Sequence, residues 1–263
     1  MHFSIGEAWS QAMQFLRENL RMLLLYVGLP AVLFPFVQRL IVGESGAEAM
    51  LQSGNTDPLV ALQAMSGGNI ALTLAFAVVS GGLTFAAYRL GLGYREAPGS
   101  VIGWGMTAMA LTILALIVLL LPLMILLGLL SGGAVMAGAG AGLAALGLLL
   151  VPVLIWLFTR IVLTQPAMAD ARSANPLYGI AQSWRLTAPV QWRVLGYVLL
   201  LIVVGFVLAL LLAAVTTLFA GAGIVGELLA NLLLTAPFSI LMVAIYAGLY
   251  RAIGPSRTSE VFA

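Results

Sequence analysis

The stretch Thr159–Arg193, TRIVLTQPAMADARSANPLYGIAQSWRLTAPVQWR, lies between two long apolar regions and decides how the chain is organised. It is the one long polar interval in the second half of the chain, and it contains four of the eleven arginines. The apolar runs on both sides are too long for the core of a soluble domain. We therefore predict that residues 163–193 form a polar platform that connects membrane-spanning helices.

The composition places the chain among membrane proteins. Hydrophobic residues make up 62% of the sequence and charged residues 8%, and the mean hydropathy is +1.13. No charged residue occurs between Glu96 and Arg160. Since one helical span needs about 20 apolar residues, that interval alone accommodates two spans and a turn. The predicted fold is an all-α polytopic membrane protein with six transmembrane helices and short amphipathic interfacial helices.

The six apolar runs form one predicted transmembrane domain, residues 1–263. Their predicted bounds are about 22–38, 69–90, 101–127, 143–162, 194–219 and 227–250. The glycine-rich run Gly128–Gly142 is predicted to be the turn between the third span and the fourth. Pro30 and Pro35 are predicted to kink the first span, because proline removes a helical hydrogen bond.

The segment 4–20 has the periodicity of an amphipathic helix. Ser4 and Glu7 match a capping box at its start. Apolar and polar side chains then fall on opposite faces, with Trp9 among the apolar ones. This pattern predicts a helix that lies in the membrane interface with Trp9 at headgroup depth. The alternative is an extension of the first span.

The platform contains a second short amphipathic pattern. Asn175 and Pro176 match a helix start, with asparagine as the capping residue and proline at the first helical position. The apolar side chains that follow recur at helical spacing. They are Leu177, Ile180, Ala181 and Trp184.

The distribution of arginine predicts the orientation of the chain. Six spans place both ends of the chain on the same side of the membrane. Ten arginines fall on segments of that side, and Arg39 alone falls on the other. Because short cytoplasmic loops carry an excess of basic residues, both ends are predicted to be cytoplasmic.

Arginines at the platform are candidate ligands for the headgroups of anionic lipids. They are Arg160, Arg172, Arg185 and Arg193. Long guanidinium side chains at the ends of spans reach the headgroup region, although arginines also occur there only to set topology. Asp170 is a possible ion-pair partner of Arg160 or Arg172. The predicted interfacial anchors are Trp9, Trp184 and Trp192.

Glu227 is the acidic residue predicted to lie at membrane depth. Together with Asn231 and Thr235 it forms a polar stripe at helical spacing. Such a stripe can line a path for a proton, an ion or a lipid headgroup. The alternative is a glutamate stabilised by the dipole at a helix N-terminus, with Asn231 linking two helices by a hydrogen bond.

The residues needed for common catalytic and metal chemistry are scarce. The sequence has no cysteine and one histidine, His2, which excludes disulfides, thiolate chemistry and metal sites built from these residues. The run Gly128–Gly142 lacks the lysine and hydroxyl residue of a phosphate-binding loop. A net charge of +2 is too small and dispersed to suggest nucleic acid. We predict a protein that is not an enzyme and uses no cofactor or metal.

The platform also resembles a known family. The pattern of Arg160, Pro166, Asp170 and a proline-led helix at Asn175-Pro176-Leu177 continues into Ser183-Trp184-Arg185-Leu186-Thr187 and Trp192-Arg193. It resembles the membrane domain that precedes some bacterial glycerophosphoryl diester phosphodiesterases, and related stand-alone six-span proteins. The resemblance implies a six-helix bundle in the bacterial cytoplasmic (inner) membrane. It does not imply phosphodiesterase activity, because that chemistry belongs to a separate catalytic domain.

These observations predict an integral membrane protein of envelope or lipid homeostasis that binds or moves lipids. Membrane lipids are the predicted partners, together with other membrane proteins or further copies of this chain. One alternative is an accessory subunit of a larger membrane complex, which the short loops would suit. A second alternative is a small transporter that uses Glu227.

Overall fold

The computed structural model describes residues 4–42, 67–136, 140–219 and 223–254. Within the helices, side chains are not described for 119–136, 140–150, Glu227 and a few other positions. Ten α-helices occur in the described part: α1 (Ile5–Leu23), α2 (Leu29–Val42), α3 (Gly67–Gly91), α4 (Pro98–Met136), α5 (Gly140–Ile161), α6 (Thr164–Ala171), α7 (Pro176–Thr187), α8 (Gln191–Phe219), α9 (Gly223–Ala230) and α10 (Ala236–Ile253).

The described chain is helical in all its regular structure and contains no strand. Six helical stretches are long and apolar enough to cross a membrane, which confirms the predicted fold class. They are Ile5–Gln38, Ile70–Gly91, Pro98–Val118, Val151–Ala171, Pro176–Leu211 and Leu228–Ile253. The chain is therefore a multi-pass α-helical membrane protein.

The segment predicted to be interfacial is continuous with the first span. A π-helical segment, Leu24–Gly28, joins α1 to α2. The hydroxyl of Ser4 accepts a hydrogen bond from the Glu7 amide at 3.0 Å, which confirms the predicted cap. Ala8 and Ala12 on α1 are buried against the rest of the protein, whereas Trp9 is exposed. Part of the predicted apolar face thus packs into the bundle.

Two prolines are preceded by wider helical turns. Pro30 follows the π-helical segment Leu24–Gly28, and Pro237 follows a second one, Asn231–Thr235. Proline has no N–H and its ring crowds the preceding turn. A change to the wider π turn is one way in which a helix accommodates such a position. The predicted kink at Pro30 thus coincides with a π turn, whereas Pro35 lies inside α2.

The prediction that a turn occupies the whole of Gly128–Gly142 is wrong, and a turn within 137–139 lies outside the described residues. Helix α4 continues to Met136 and α5 begins at Gly140, so that only 137–139 lie outside the described helices. In water a glycine costs a helix about 1 kcal/mol relative to alanine. In a membrane an unpaired backbone group costs several kcal/mol. Helical hydrogen bonding therefore persists through the described glycines of this run, in 128–136 and 140–142.

Close helix contacts depend on small residues. Helix α1 packs along α10, where a side chain at Gly248 would collide with the backbone of Ala12. Between α3 and α4, a side chain at Gly82 would collide with the backbone of Met106. Small residues at such crossings allow the backbones to approach closely in membrane proteins.

The platform and both ends of the described chain lie on one side of the bundle, here called the platform face. Ala8 of α1 and Ile253 of α10 belong to the same buried cluster. Asp170 of α6 accepts a hydrogen bond from Tyr250 of α10 at 3.0 Å. The segment between α3 and α4 reaches the same place through Tyr94. Arg89 and Arg160, described next, lie on or near this face.

Candidate functional site

Six residues from four parts of the chain form a cluster at the platform face, here called the polar hub: Arg89, Tyr94, Glu96, Asp170, Arg172 and Tyr250. Arg89, in the last turn of α3, is 7% exposed. Its guanidinium forms an ion pair with Glu96 at 2.5 Å. It also donates hydrogen bonds to the carbonyls of Ala169 and Asp170 at 2.7 and 2.8 Å. The buried charge is thus balanced by a carboxylate and two carbonyls.

Asp170 ties three segments together within the polar hub. One carboxylate oxygen accepts a hydrogen bond from the Tyr94 hydroxyl at 3.0 Å. The other accepts one from the Tyr250 hydroxyl, also at 3.0 Å. Helix α6 is thereby fixed to α10 and to the segment that follows α3. This arrangement is that of a structural clamp.

Arg172 belongs to the polar hub through Glu96. Its guanidinium pairs with Glu96 at 3.2 Å and donates to the Ser100 hydroxyl at 2.9 Å. Sequence analysis offered Asp170 as its acidic partner. In the fold, Arg172 pairs with Glu96 instead, because the loop between α3 and α4 reaches across to the end of α6. Arg172 itself has a left-handed backbone with φ of 51° and caps α6.

Arg160, in the last turn of α5, lies in a different environment. It is 7% exposed, and one terminal nitrogen donates to the side-chain oxygen of Gln191 at the start of α8. Its Cζ lies 5.5 Å from the ring centroid of Trp156 and 5.1 Å from that of Trp184. Its other two nitrogens, Nε and Nη1, are buried and have no hydrogen-bond partner. No described carboxylate forms an ion pair with this arginine, Asp170 included.

Ser183 holds the backbone at Arg160. Its hydroxyl donates to the Arg160 carbonyl at 2.6 Å and accepts from the Leu163 amide at 3.1 Å. It thereby satisfies backbone groups at the end of α5, where helical partners are lacking. Ser183 is buried with Gly179 and Thr187 on the inner face of α7. The apolar face predicted for this helix is a different one, and Leu177 and Trp184 on it are exposed.

The start of α7 follows the prediction. The Asn175 side chain accepts a hydrogen bond from the Leu177 amide at 3.0 Å, and Pro176 occupies the first turn. This cap fixes where α7 leaves the platform. It also places Leu177 beside the cavity described next.

A cavity of about 880 Å³ lies between α4, α5 and the beginning of α7. Its walls are almost entirely apolar, and its residues from α4 begin at Leu111, about three helical turns beyond Ser100 of that helix. Leu114, Phe158 and Leu177 line the cavity and are also exposed on the outside of the bundle. The cavity is therefore open at the outer surface of the helices. Its size lies within the range of small-molecule binding sites, about 300–1,000 Å³.

The polar groups of the cavity are few and uncharged. They come from Thr112, Thr164, Gln165, Asn175 and Tyr246. The hydroxyl of Thr164 is buried and has no hydrogen-bond partner in the described part of the chain. Because buried polar groups are nearly always hydrogen-bonded, this hydroxyl is available to a bound molecule or a water.

The remaining predicted surface residues lie apart from the cavity. Arg185 and Arg193 are exposed on α7 and α8. Trp9, Trp184 and Trp192 have exposed fractions of 43%, 39% and 74%, and their membrane depth stays a prediction. Of the four candidate arginines, the structure thus places two on the surface, one in the polar hub and one between two tryptophans.

The predicted polar stripe on the sixth span is only partly described. Glu227 belongs to α9, but its side chain lies outside the described residues. The side-chain oxygen of Asn231 accepts a hydrogen bond from Thr235 one turn later at 2.9 Å. This bond lies within one helix, whereas the structural alternative offered from the sequence had Asn231 link two helices. A path through Glu227 stays a prediction.

Comparison with family models, with curated proteins and with solved structures finds no match to this chain. Among the described residues there is also no group of three or more His, Asp or Glu side chains that could hold a metal ion. The chemistry of the site is therefore read from its own geometry.

Sequence reasoning missed the cavity and the importance of Arg89. The sequence does carry a signal for Arg89, which ends its span as Arg160 ends another. It carries no comparable signal for the cavity, whose lining comes from five separate helices and looks like any other membrane sequence.

Proposed function

We propose that this protein binds a membrane lipid in the cavity between α4, α5 and α7, and acts in lipid or envelope homeostasis. The observation that carries the proposal is the cavity itself. It is apolar, it is large enough for a substantial part of a lipid molecule, and it opens where the helices face the outside. Within a membrane, lipids are the abundant apolar molecules that could enter such an opening.

The uncharged polar groups give such a lipid an orientation. Thr164, Gln165 and Asn175 lie at the platform end of the cavity, where α5 ends and α6 and α7 begin. The leucines of α4 line the part farther from that face. Acyl chains would therefore occupy the α4 side, and a hydroxyl or ester group would meet Thr164. Binding sites of this kind combine apolar walls with a few well-placed polar groups.

The experiment fills the cavity and measures retained lipid. Ala115→Phe adds a ring to a lining position of α4. Ala110→Phe adds the same ring at an exposed position of α4 that is not part of the lining, and serves as the matched control. Native mass spectrometry after delipidation should find lipid on the wild-type and control proteins and little on Ala115→Phe. Equal retention by all three would refute the proposal.

The platform face is proposed to be cytoplasmic, in a bacterial inner membrane. Support comes from the distribution of arginine, which is concentrated on segments of this face, and from the resemblance of the platform to bacterial six-span proteins. Because the chain has no cysteine, a single introduced one is a clean label. Ala171→Cys should react with an impermeant thiol reagent only after the cells are opened, whereas Ser53→Cys should react in intact cells. The reverse pattern would overturn this orientation.

A further inference from the structure

We infer that Arg160 is the centre of a second, separate site, which binds the phosphate oxyanion of a phospholipid headgroup between Trp156 and Trp184. Arg160 is buried to more than nine-tenths, and no described carboxylate forms an ion pair with it. A buried charge is costly unless it is paired and hydrogen-bonded.

The hydrogen bonds of Arg160 are also incomplete. Gln191 accepts from one terminal nitrogen, while Nε and Nη1 have no partner in the described part of the chain. The guanidinium group has five N–H donors in a planar fork that matches two oxygens of a phosphate. A phosphate oxyanion supplies at once the missing negative charge and the missing acceptors, which a neutral water molecule cannot do.

The two tryptophans form the cover of this site. Trp156 lies one turn before Arg160 on α5, and Trp184 comes from α7. Their rings meet edge to face with centroids 5.6 Å apart, and both side chains are 39% exposed. Indole faces attract a guanidinium and hold it in place without neutralising it. Because both rings reach the surface, a small movement of either ring opens a route to the guanidinium nitrogens.

This site is distinct from the cavity. Phe158 and Ile161 line the cavity from one face of α5, and Val162 lines it just after the helix ends. At roughly 100° per residue, Arg160 falls on the opposite face of the helix, together with Trp156. Neither Arg160 nor the two tryptophans are among the residues that line the cavity, and the two sites can be tested with separate variants.

Charge selects among phospholipids at this site. The uncompensated positive charge favours a headgroup with net negative charge over a zwitterionic one that carries its own cation. The same phosphate chemistry could come from free inorganic phosphate, so the experiment has an arm for each source.

The test uses the purified full chain in a neutral detergent. Phosphatidylglycerol, phosphatidylcholine and inorganic phosphate are titrated separately, and dissociation constants are read by native mass spectrometry and by the shift in melting temperature. Arg160→Gln should weaken binding of phosphatidylglycerol about ten- to a hundredfold, the range expected for loss of a hydrogen bond to a charged group. Arg17→Gln, which removes an exposed arginine of α1, is the matched control and should leave binding unchanged.

The outcomes separate cleanly. Preference for phosphatidylglycerol that depends on Arg160 supports the lipid source, and binding of inorganic phosphate alone supports the free anion. Equal affinity of wild type and Arg160→Gln for both probes overturns the site. If Arg160→Gln does not fold, Arg160→Lys keeps the charge but loses Nε and the planar fork, and should still bind more weakly than wild type. The titrations are repeated in the Ala115→Phe background, where the cavity is filled and its lipid is not counted. The loss of phosphatidylglycerol binding caused by Arg160→Gln should persist there, so failure of the cavity proposal would not be mistaken for failure of this one.

Discussion

Arg89 and Arg160 are two arginines with the same exposure and opposite surroundings. Each lies in the last turn of a membrane-spanning helix and is 7% exposed. Arg89 meets Glu96 and two carbonyls, so that its charge is balanced within the polar hub. Arg160 meets one amide and two indole rings. The same residue type at the same kind of helix end thus has a complete set of partners in one place and unmet donors in the other.

The difference shows that burial alone does not identify a functional residue. A buried charge with all its partners inside the protein stabilises one arrangement of helices. A buried charge without them implies a partner from outside, because its desolvation is otherwise uncompensated. The unmet donors, more than the burial, distinguish Arg160 from Arg89.

The largest effect is expected from Arg89→Gln. This change removes a donor from two carbonyls and leaves Glu96 with Arg172 as its remaining ion-pair partner. Removal of one partner from a buried pair costs about 3–5 kcal/mol. The free energy of unfolding, measured by SDS titration in mixed micelles, should fall by that amount. Arg160→Gln, measured without added phospholipid, is the matched control and should lose far less. Equal losses for the two variants would contradict the comparison.

A smaller effect is expected within the polar hub from Tyr250→Phe. The variant removes the hydroxyl that donates to Asp170 at 3.0 Å and keeps the ring. Loss of a hydrogen bond to a charged group costs about 1.5–3 kcal/mol in unfolding free energy. Tyr26→Phe is the control, since the Tyr26 hydroxyl makes no hydrogen bond in the described structure. No difference between these variants would mean that Asp170 does not hold α10.

The smallest effect is expected for the coupling between Arg251 and Glu18, since Arg251 also donates to the Gly91 carbonyl and lies over the Phe15 ring. Arg251 pairs with Glu18 at 3.1 Å, with side chains 23% and 46% exposed. Exposed ion pairs contribute about 0.2–1 kcal/mol, and salt screens them. Unfolding free energies of wild type, Arg251→Ala, Glu18→Gln and the double variant give the coupling directly. The coupling should shrink between about 0.05 and 0.5 M salt, and a coupling that does not change with salt would show that the pair is effectively buried.

Several local features were predictable because they depend on neighbouring residues. At the caps, the side chains of Ser4 and Asn175 accept hydrogen bonds from backbone amides only three and two residues further along the chain. The extent of the turn in the glycine-rich run was predicted wrongly, because the prediction used the low helix propensity that glycine has in water. In a membrane the need to satisfy the backbone extends the helix to Met136.

The candidate site was predictable only in part. Arg160 was singled out by its place at the end of a span, but its lack of a carboxylate partner could not be read from the sequence. Trp184 is 24 positions further along the chain, and Gln191 is 31 positions away. Arg172 forms an ion pair with a carboxylate and Arg160 does not. This difference depends on how distant helices pack, which no local sequence pattern describes.

The sequence by itself determined the class of protein and the six spans, because the cost of crossing a bilayer is summed over about 20 consecutive residues and is read locally. Only the tertiary structure decided which charges were satisfied. Arg89 finds its acceptors 7, 80 and 81 residues away, whereas Arg160 is covered by rings that cannot balance it. The cavity also depends on the tertiary structure, because it is the space that remains between five packed helices.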